Sequence, residues 1–161
     1  MMFWLDYLSR FVHIAMAIAL VGGSLFTWAV LLPASRGLSD EAQAALSGQI
    51  VQRWKRWVHA GILLFLVSGL YNYVRAMPTH QGDGLYHALL GTKMLLALGV
   101  FFIASALVGR SGAFAQLRAQ RRRWLGILLV LATAIVLISS FVKVRSGRVA
   151  VEPTDVVAVS G

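Results

Sequence analysis

The residue in this sequence best suited to chemistry is His13, which lies in the otherwise apolar run "RFVHIAMAIALVGG", residues 10–23. A polar side chain surrounded by hydrocarbon needs a partner, because leaving it unsatisfied is costly. Two interpretations supply one: a hydrogen bond to a neighbouring helix, or ligation of haem iron, for which a buried imidazole is a common axial ligand. We expect His13 to be a haem ligand.

Two more polar residues lie in the run "YHALLGTKMLLAL", which starts at Tyr86. His87 is expected at a depth similar to that of His13, so that two imidazoles on different helices would face each other across a porphyrin. Its alternative interpretation is an interfacial histidine beside Tyr86. Lys93 lies deeper, where its ammonium cannot easily reach water and needs an anion, a carbonyl oxygen or a substrate. We predict His87 as the opposite haem ligand, with Lys93 as the alternative.

Two further candidates lie at the ends of apolar runs. Arg75 is expected near the depth of haem propionates, and arginine pairs well with carboxylates; it is equally an ordinary membrane-end anchor. His59 is expected on the opposite side of the bilayer, too far away to share a metal with His13. It is either a lone interfacial histidine or one ligand of a second site completed by another subunit.

Copper is the alternative metal. Met77, His80 and His87 bracket a short turn, and Met16 lies one helical turn from His13. Thioether and imidazole groups suit copper(I). Cysteine is absent from the sequence, so it offers no thiolate for a metal or an iron–sulfur cluster.

Four apolar stretches must position these residues. Hydrophobic residues make up 58% of the 161 positions and charged residues only 13%, a composition typical of membrane proteins. Each stretch approaches or exceeds the ~20 residues that cross a bilayer as a helix. The predicted spans are about 11–32, 57–74, 86–108 and 124–142. We therefore predict an all-α fold, an integral membrane antiparallel four-helix bundle, with one domain over residues 1–142 and a flexible tail over residues 143–161.

The net charge of +9 is explained by membrane topology. The connections after the first and third spans hold nine Lys and Arg residues, against five on the other side. The positive-inside rule then places those connections in the cytoplasm and both termini outside, as in a bacterial-type inner membrane. The run "RAQRRRW" is interpreted as an anchor for anionic lipid, so no nucleic-acid partner is expected.

Two other patterns concern packing. Residues 39–57 begin with an N-cap serine and acidic residues and end in cations, which predicts a helix along the cytoplasmic interface before the second span. Ala15, Ala19 and Gly23 recur at every fourth residue, a stripe that lets another helix approach closely. The stripe serves either the bundle's own packing or a homodimer.

The four spans resemble, in order and spacing, a superfamily that joins CopD-type copper resistance membrane domains and HemJ-type protoporphyrinogen IX oxidases. "FVHIAMAIALVGGSLF" resembles its first helix, and "GILLFLVSGLYNYV" resembles the second. "YHALLGTKMLLAL" is similar to the third, and "AIVLISSFVKV" to the end of the fourth helix in the HemJ type. The size of the chain fits the HemJ type better than the longer CopD type.

This resemblance implies a bundle that binds haem b and oxidises protoporphyrinogen IX. His13 and Lys93 match the family positions linked to haem b and to activity. The sequence departs from the HemJ pattern at "LLPASR" after the first helix and at "QRRRW" before the fourth, so haem binding transfers more safely than the specific oxidase activity.

We therefore expect a b-type haem redox protein, for electron transfer or porphyrinogen oxidation, with an unidentified electron donor or acceptor. The alternatives are a CopD-like copper-handling membrane protein and a cofactor-free scaffold subunit.

Overall fold

The computed structural model describes residues 2–77 and 84–149, and nearly all of them are helical. Four of the helices are long and apolar enough to cross a membrane. The all-α prediction is therefore confirmed. The α-helices of five residues or more are α1 (Met2–Phe26), α2 (Asp40–Ala76), α3 (Gly84–Val108), the short α4 (Ala115–Ala119) and α5 (Arg121–Val149).

The end of α1 does not stop the helical path of the chain. A π-helical turn over Thr27–Leu31 follows directly, and short helical turns continue to Gly37. Pro33 has no amide hydrogen, and its ring crowds the carbonyl one turn earlier. The wider turn before it, in which the Leu32 amide donates to the Thr27 carbonyl, accommodates the proline. This π-helical turn carries Trp28.

Helix α2 begins as its sequence predicts. The Ser39 hydroxyl caps it by accepting a hydrogen bond from the Ala42 amide, and Asp40 and Glu41 occupy its first turn. The helix predicted over residues 39–57 is present, and it continues into the second span without a break, so that α2 is continuous for 37 residues. Nothing between Ser39 and the predicted second span breaks a helix, so the chain keeps one axis for about 55 Å.

Helix α1 packs antiparallel to α2. Asp6 near the start of α1 contacts Arg75 near the end of α2. About two helical turns further along α1, His13 contacts Ser68. Leu20 lies over Gly61, where an added β-carbon would come within 2.9 Å of the leucine side chain. The absence of a side chain at Gly61 thus lets the two helices approach closely at this point.

Helix α3 packs antiparallel to α5. The buried core of this pair consists of Ile103 and Leu107 from α3 with Leu125 and Leu128 from α5. The α1–α2 and α3–α5 interfaces are more extensive than the contacts that join the two pairs. We call the sparser boundary between the α1–α2 pair and the α3–α5 pair the seam.

Apolar side chains cover much of the outer surface. Ile18, Leu95 and Leu137 are each more than 60% exposed, and they are three of many. Water-soluble proteins rarely expose contiguous apolar surface on this scale. The exposed surface and the four long apolar helices together indicate a membrane protein. Helix α5 continues to Val149, and residues 150–161 of the predicted tail lie outside the described residues.

Candidate functional site

The imidazole of His13 is held by helix α2. Its Nδ1 lies 3.0 Å from the Ser68 hydroxyl oxygen. That hydroxyl donates its own proton to the Leu64 carbonyl at 2.6 Å, so its oxygen is left to accept a hydrogen bond from His13 Nδ1–H. This network assigns the imidazole proton to Nδ1, so that Nε2 carries a lone pair and no proton. The hydrogen bond to a neighbouring helix, which was the alternative interpretation of His13, is therefore present.

Aromatic and small residues complete the setting of His13. Its ring centroid is 3.9 Å from that of Phe65, which in turn meets Phe101 of α3 edge to face at 5.6 Å. At Gly69 an added β-carbon would lie 3.4 Å from His13 Cε1. Glycine at this position therefore lets the imidazole lie against the backbone of α2.

The partner of His13 was not identified from the sequence. Ser68 is a buried polar residue inside the second apolar run, the same signal that singled out His13. Ser9 adds to this polar contact, since the single proton of its hydroxyl is shared between the Ser68 carbonyl and Asn72 Oδ1, each at 3.3 Å. A chain of polar groups thus links α1 to α2 over about one turn.

Lys93 is half-buried on α3, across the seam from His13. It lines a cavity of about 90 Å³ together with Tyr86 from its own helix and Ser139 from α5. This cavity lies between α3 and α5, and His13 is not among the residues that line it.

The other two candidate histidines are not partners of His13 in the described structure. His87 is exposed, and its ring lies edge to face against neighbouring Tyr86 at 5.7 Å. Within the described part of the chain no hydrogen bond or ring contact connects His87 to His13. His59 is exposed as well, with Nδ1 2.8 Å from the Lys55 carbonyl of its own helix. It lies about 14 Å along α2 from Ser68, on the cytoplasmic side of His13 in the predicted topology.

Arg75 has a partner within the chain. Its guanidinium holds the Asp6 carboxylate through two hydrogen bonds, Nε to Oδ1 at 3.0 Å and Nη2 to Oδ2 at 2.9 Å. The hydroxyl of Tyr71 donates to the same Oδ1 at 2.8 Å. This three-residue cluster, which we call the outer clasp, fixes the start of α1 against the end of α2. The role of Asp6 was missed, because its pairing depends on how α1 and α2 align.

The described residues do not test the copper alternative. Among them no group of three or more His, Cys, Asp or Glu side chains is placed to hold a metal ion, but the predicted copper ligands include methionines. Met77 is exposed at the end of α2, and His80 lies outside the described residues. Haem requires only one or two axial side chains, so this finding decides neither prediction.

Part of the small-residue stripe serves internal packing. The indole of Trp54 occupies the space that a β-carbon at Gly23 would need. Ala19 is exposed and Ala15 is half-buried.

A comparison of the chain with models of protein families, with curated proteins and with solved structures finds no match. The resemblance to the CopD and HemJ types stays a prediction.

Proposed function

We propose that this protein is an integral membrane bundle of four antiparallel helices that binds haem b through His13. Its function is then redox chemistry, either electron transfer or porphyrinogen oxidation. The observation that carries the proposal is the hydrogen bond between His13 Nδ1 and Ser68. Metal-ligating histidines usually donate their second ring N–H to a protein acceptor in this way, which orients the ring and presents the other nitrogen to the metal.

Membrane insertion is supported by the spacing of the polar contacts along α1. The outer clasp contains Asp6, and the aromatic ring of Trp28 lies under the guanidinium of Arg122. Asp6 and Trp28 are about six helical turns apart, or about 33 Å. This distance matches the ~30 Å thickness of a bilayer's hydrocarbon core. Charged and aromatic side chains are enriched at the two surfaces of a membrane, and the ion pair and the aromatic–cation pair lie at these two levels.

The donor chemistry of the site fits one axial imidazole. With Nδ1 engaged by Ser68, His13 Nε2 is the nitrogen that would bind iron, and the half-buried ammonium of Lys93 on α3 would supply a cation for a carboxylate. Haem would contribute one-electron redox chemistry when bound. The role of His13 would be to hold it, and that of Ser68 to keep His13 in one tautomer. The exposed position of His87 favours a single strong axial ligand over a bis-imidazole pair.

The space for a porphyrin requires a change at the seam. The cavity beside Lys93 is about 90 Å³, whereas pockets for ligands of drug size measure about 300–1,000 Å³. A porphyrin therefore does not fit this cavity, which lies between α3 and α5 and not at the seam. Haem bound to His13 would need its space between the two helix pairs. The contacts between the two helix pairs are the sparsest long-helix contacts in the fold. Separation of the pairs at the seam is the change that costs the fewest contacts.

The proposal is tested by absorption spectra of the purified protein, oxidised and dithionite-reduced, from cells supplied with haem. We expect a Soret band and reduced α and β bands that are lost in His13→Ala and kept in His59→Ala, a control that removes an exposed imidazole elsewhere on α2. In His87→Ala the bands should persist unchanged.

A folded, colourless wild-type protein would overturn the haem proposal. Metal analysis of the same sample then distinguishes the alternatives: bound copper lost in Met77→Ala would favour copper handling, and no metal would favour the scaffold subunit.

A further inference from the structure

An open groove of about 640 Å³ lies at the cytoplasmic end of the predicted bundle, far from His13. Its lining comes from the π-helical turn after α1 and from the start of α5: Trp28, Gln120, Arg122, Arg123 and Gly126. We call it the basic groove.

The floor of the basic groove is apolar and closely fitted. Trp28 Nε1 lies 3.4 Å from the position of an added β-carbon at Gly126, so the absence of a side chain there makes room for the indole. Arg122 is exposed, and its guanidinium carbon lies 5.8 Å from the centre of the Trp28 ring. This cation–π contact places the positive charge of Arg122 directly over the aromatic floor.

The rim of the basic groove is positively charged. Arg122 and Arg123 both line it, and with Arg121 they form the first turn of α5, where no acidic residue lies. In the described part of the chain neither Arg122 nor Arg123 has a carboxylate partner. A bound anion would therefore meet two uncompensated guanidinium groups.

We propose that the basic groove binds one anionic phospholipid, with its phosphate held between Arg122 and Arg123 and an acyl chain against Trp28. The level of the groove supports a lipid over a soluble anion. Trp28 lies about 33 Å along α1 from the outer clasp, the separation at which the second headgroup layer is expected. This inference rests on membrane insertion and is independent of haem binding.

The experiment uses the full-length protein in a neutral detergent, with lipid binding followed by native mass spectrometry. Phosphatidylglycerol is titrated as the anionic lipid, phosphatidylcholine as the neutral lipid, and inorganic phosphate as a probe without acyl chains. We expect one phosphatidylglycerol molecule to bind at concentrations at which phosphatidylcholine and phosphate do not.

Two double variants separate a site from general charge attraction. Arg122→Gln with Arg123→Gln should weaken phosphatidylglycerol binding about tenfold or more, since each loss removes a charge-assisted contact. Arg53→Gln with Arg56→Gln removes the same charge from exposed positions of α2 outside the groove. This control should change the affinity less than about twofold.

A third variant, Gly126→Leu, fills the groove without changing any charge and should also weaken binding. Circular dichroism and elution volume confirm that each variant keeps the fold.

Equal losses in the two double variants would overturn the proposal, because they would indicate diffuse attraction to positive charge. A lack of preference for phosphatidylglycerol over phosphatidylcholine would overturn it as well. Binding of inorganic phosphate as tight as that of the lipid would assign the groove to a soluble anion and contradict the lipid assignment.

Discussion

Replacing Ser68 with alanine tests the contact that orients His13. The Ser68 hydroxyl makes three hydrogen-bond contacts: its proton is directed to the Leu64 carbonyl at 2.6 Å, with the Phe65 carbonyl at 3.3 Å as a second acceptor, and its oxygen accepts from His13 Nδ1. The contacts to the two carbonyls lie within α2, and the contact to His13 joins α1 to α2. Alanine removes all three, so the effect of the interhelical bond has to be separated from that of the local ones.

Ser24 provides the matched control. It is buried on α1 to nearly the same extent, 8% exposed against 5% for Ser68. Its hydroxyl donates to the Leu20 carbonyl at 2.8 Å, one turn earlier, as that of Ser68 does to Leu64. In the described structure Ser24 makes no side-chain contact to another helix through this hydroxyl. The difference between Ser68→Ala and Ser24→Ala therefore isolates the contact to His13.

The expected free-energy contribution of the His13–Ser68 bond follows from measurements on interhelical hydrogen bonds in membrane proteins. Interhelical polar contacts in membrane proteins average about 0.6 kcal/mol and reach about 1.7 kcal/mol, because the unfolded chain in lipid also finds partners. At 3.0 Å and partly buried, the His13–Ser68 bond should contribute about 1 kcal/mol. Ser24→Ala should be close to neutral, since losing a bond to its own helix is offset by the higher helix propensity of alanine.

The assay is unfolding in mixed micelles, with the free energy of unfolding measured for His13→Ala, Ser68→Ala and the double variant. The coupling energy of this cycle should be about 1 kcal/mol. In the haem-loaded protein Ser68→Ala should also weaken haem binding about 10-fold to 100-fold, the usual effect of losing a ligand's supporting partner. A coupling energy near zero, or equal effects of Ser24→Ala and Ser68→Ala, would refute the argument that Ser68 positions His13.

Three further predictions concern the frame around the site. Gly61→Val should lower the free energy of unfolding by about 1–3 kcal/mol through overpacking against the facing leucine, whereas Gly22→Ala, with open space around its β-carbon, should raise it by about 0.5–1 kcal/mol; chemical unfolding measures both. Asp6→Asn and Arg75→Gln should each lower the melting temperature by a similar small amount, and the double variant by no more than either alone, because all three remove the same ion pair. Since the chain has no cysteine, Gly112→Cys can be labelled alone: a membrane-impermeant maleimide should reach it only after the cells are permeabilised, and labelling of intact cells would reverse the predicted topology.

The positions of the long helices could be predicted from the sequence because apolar runs of bilayer length are a local property. His13 and Lys93 could be singled out for the same reason, since a polar residue inside such a run is visible without any knowledge of its neighbours. The neighbours of His13 and Lys93 in the fold could not be predicted from the sequence. That Ser68 and not another residue of the second run meets His13 depends on how α1 and α2 align along each other, and that alignment is a tertiary property.

Two local features of the backbone could not be predicted from the sequence either. The wide turn over Thr27–Leu31 arises from the demands of Pro33 together with the packing of Trp28 against α5, and the proline alone indicates only a disturbance. The continuity of α2 could not be decided from residues 39–57, because a helix that lies along an interface and one that continues into a span share the same propensities and caps. Only the relation to the rest of the fold distinguishes them.

The uninterrupted α2 joins its two ends as one rigid rod. It carries the partners of His13 and the outer clasp near one end, and its other end, from Asp40, lies well beyond the level of Trp54 and Gly23. A rod about 55 Å long that tilts by only about 5° moves its far tip by about 5 Å. A small displacement of α2 beside His13 would therefore reach the start of the helix at Asp40 as a movement larger than a bond length, with no break in the helix to absorb it.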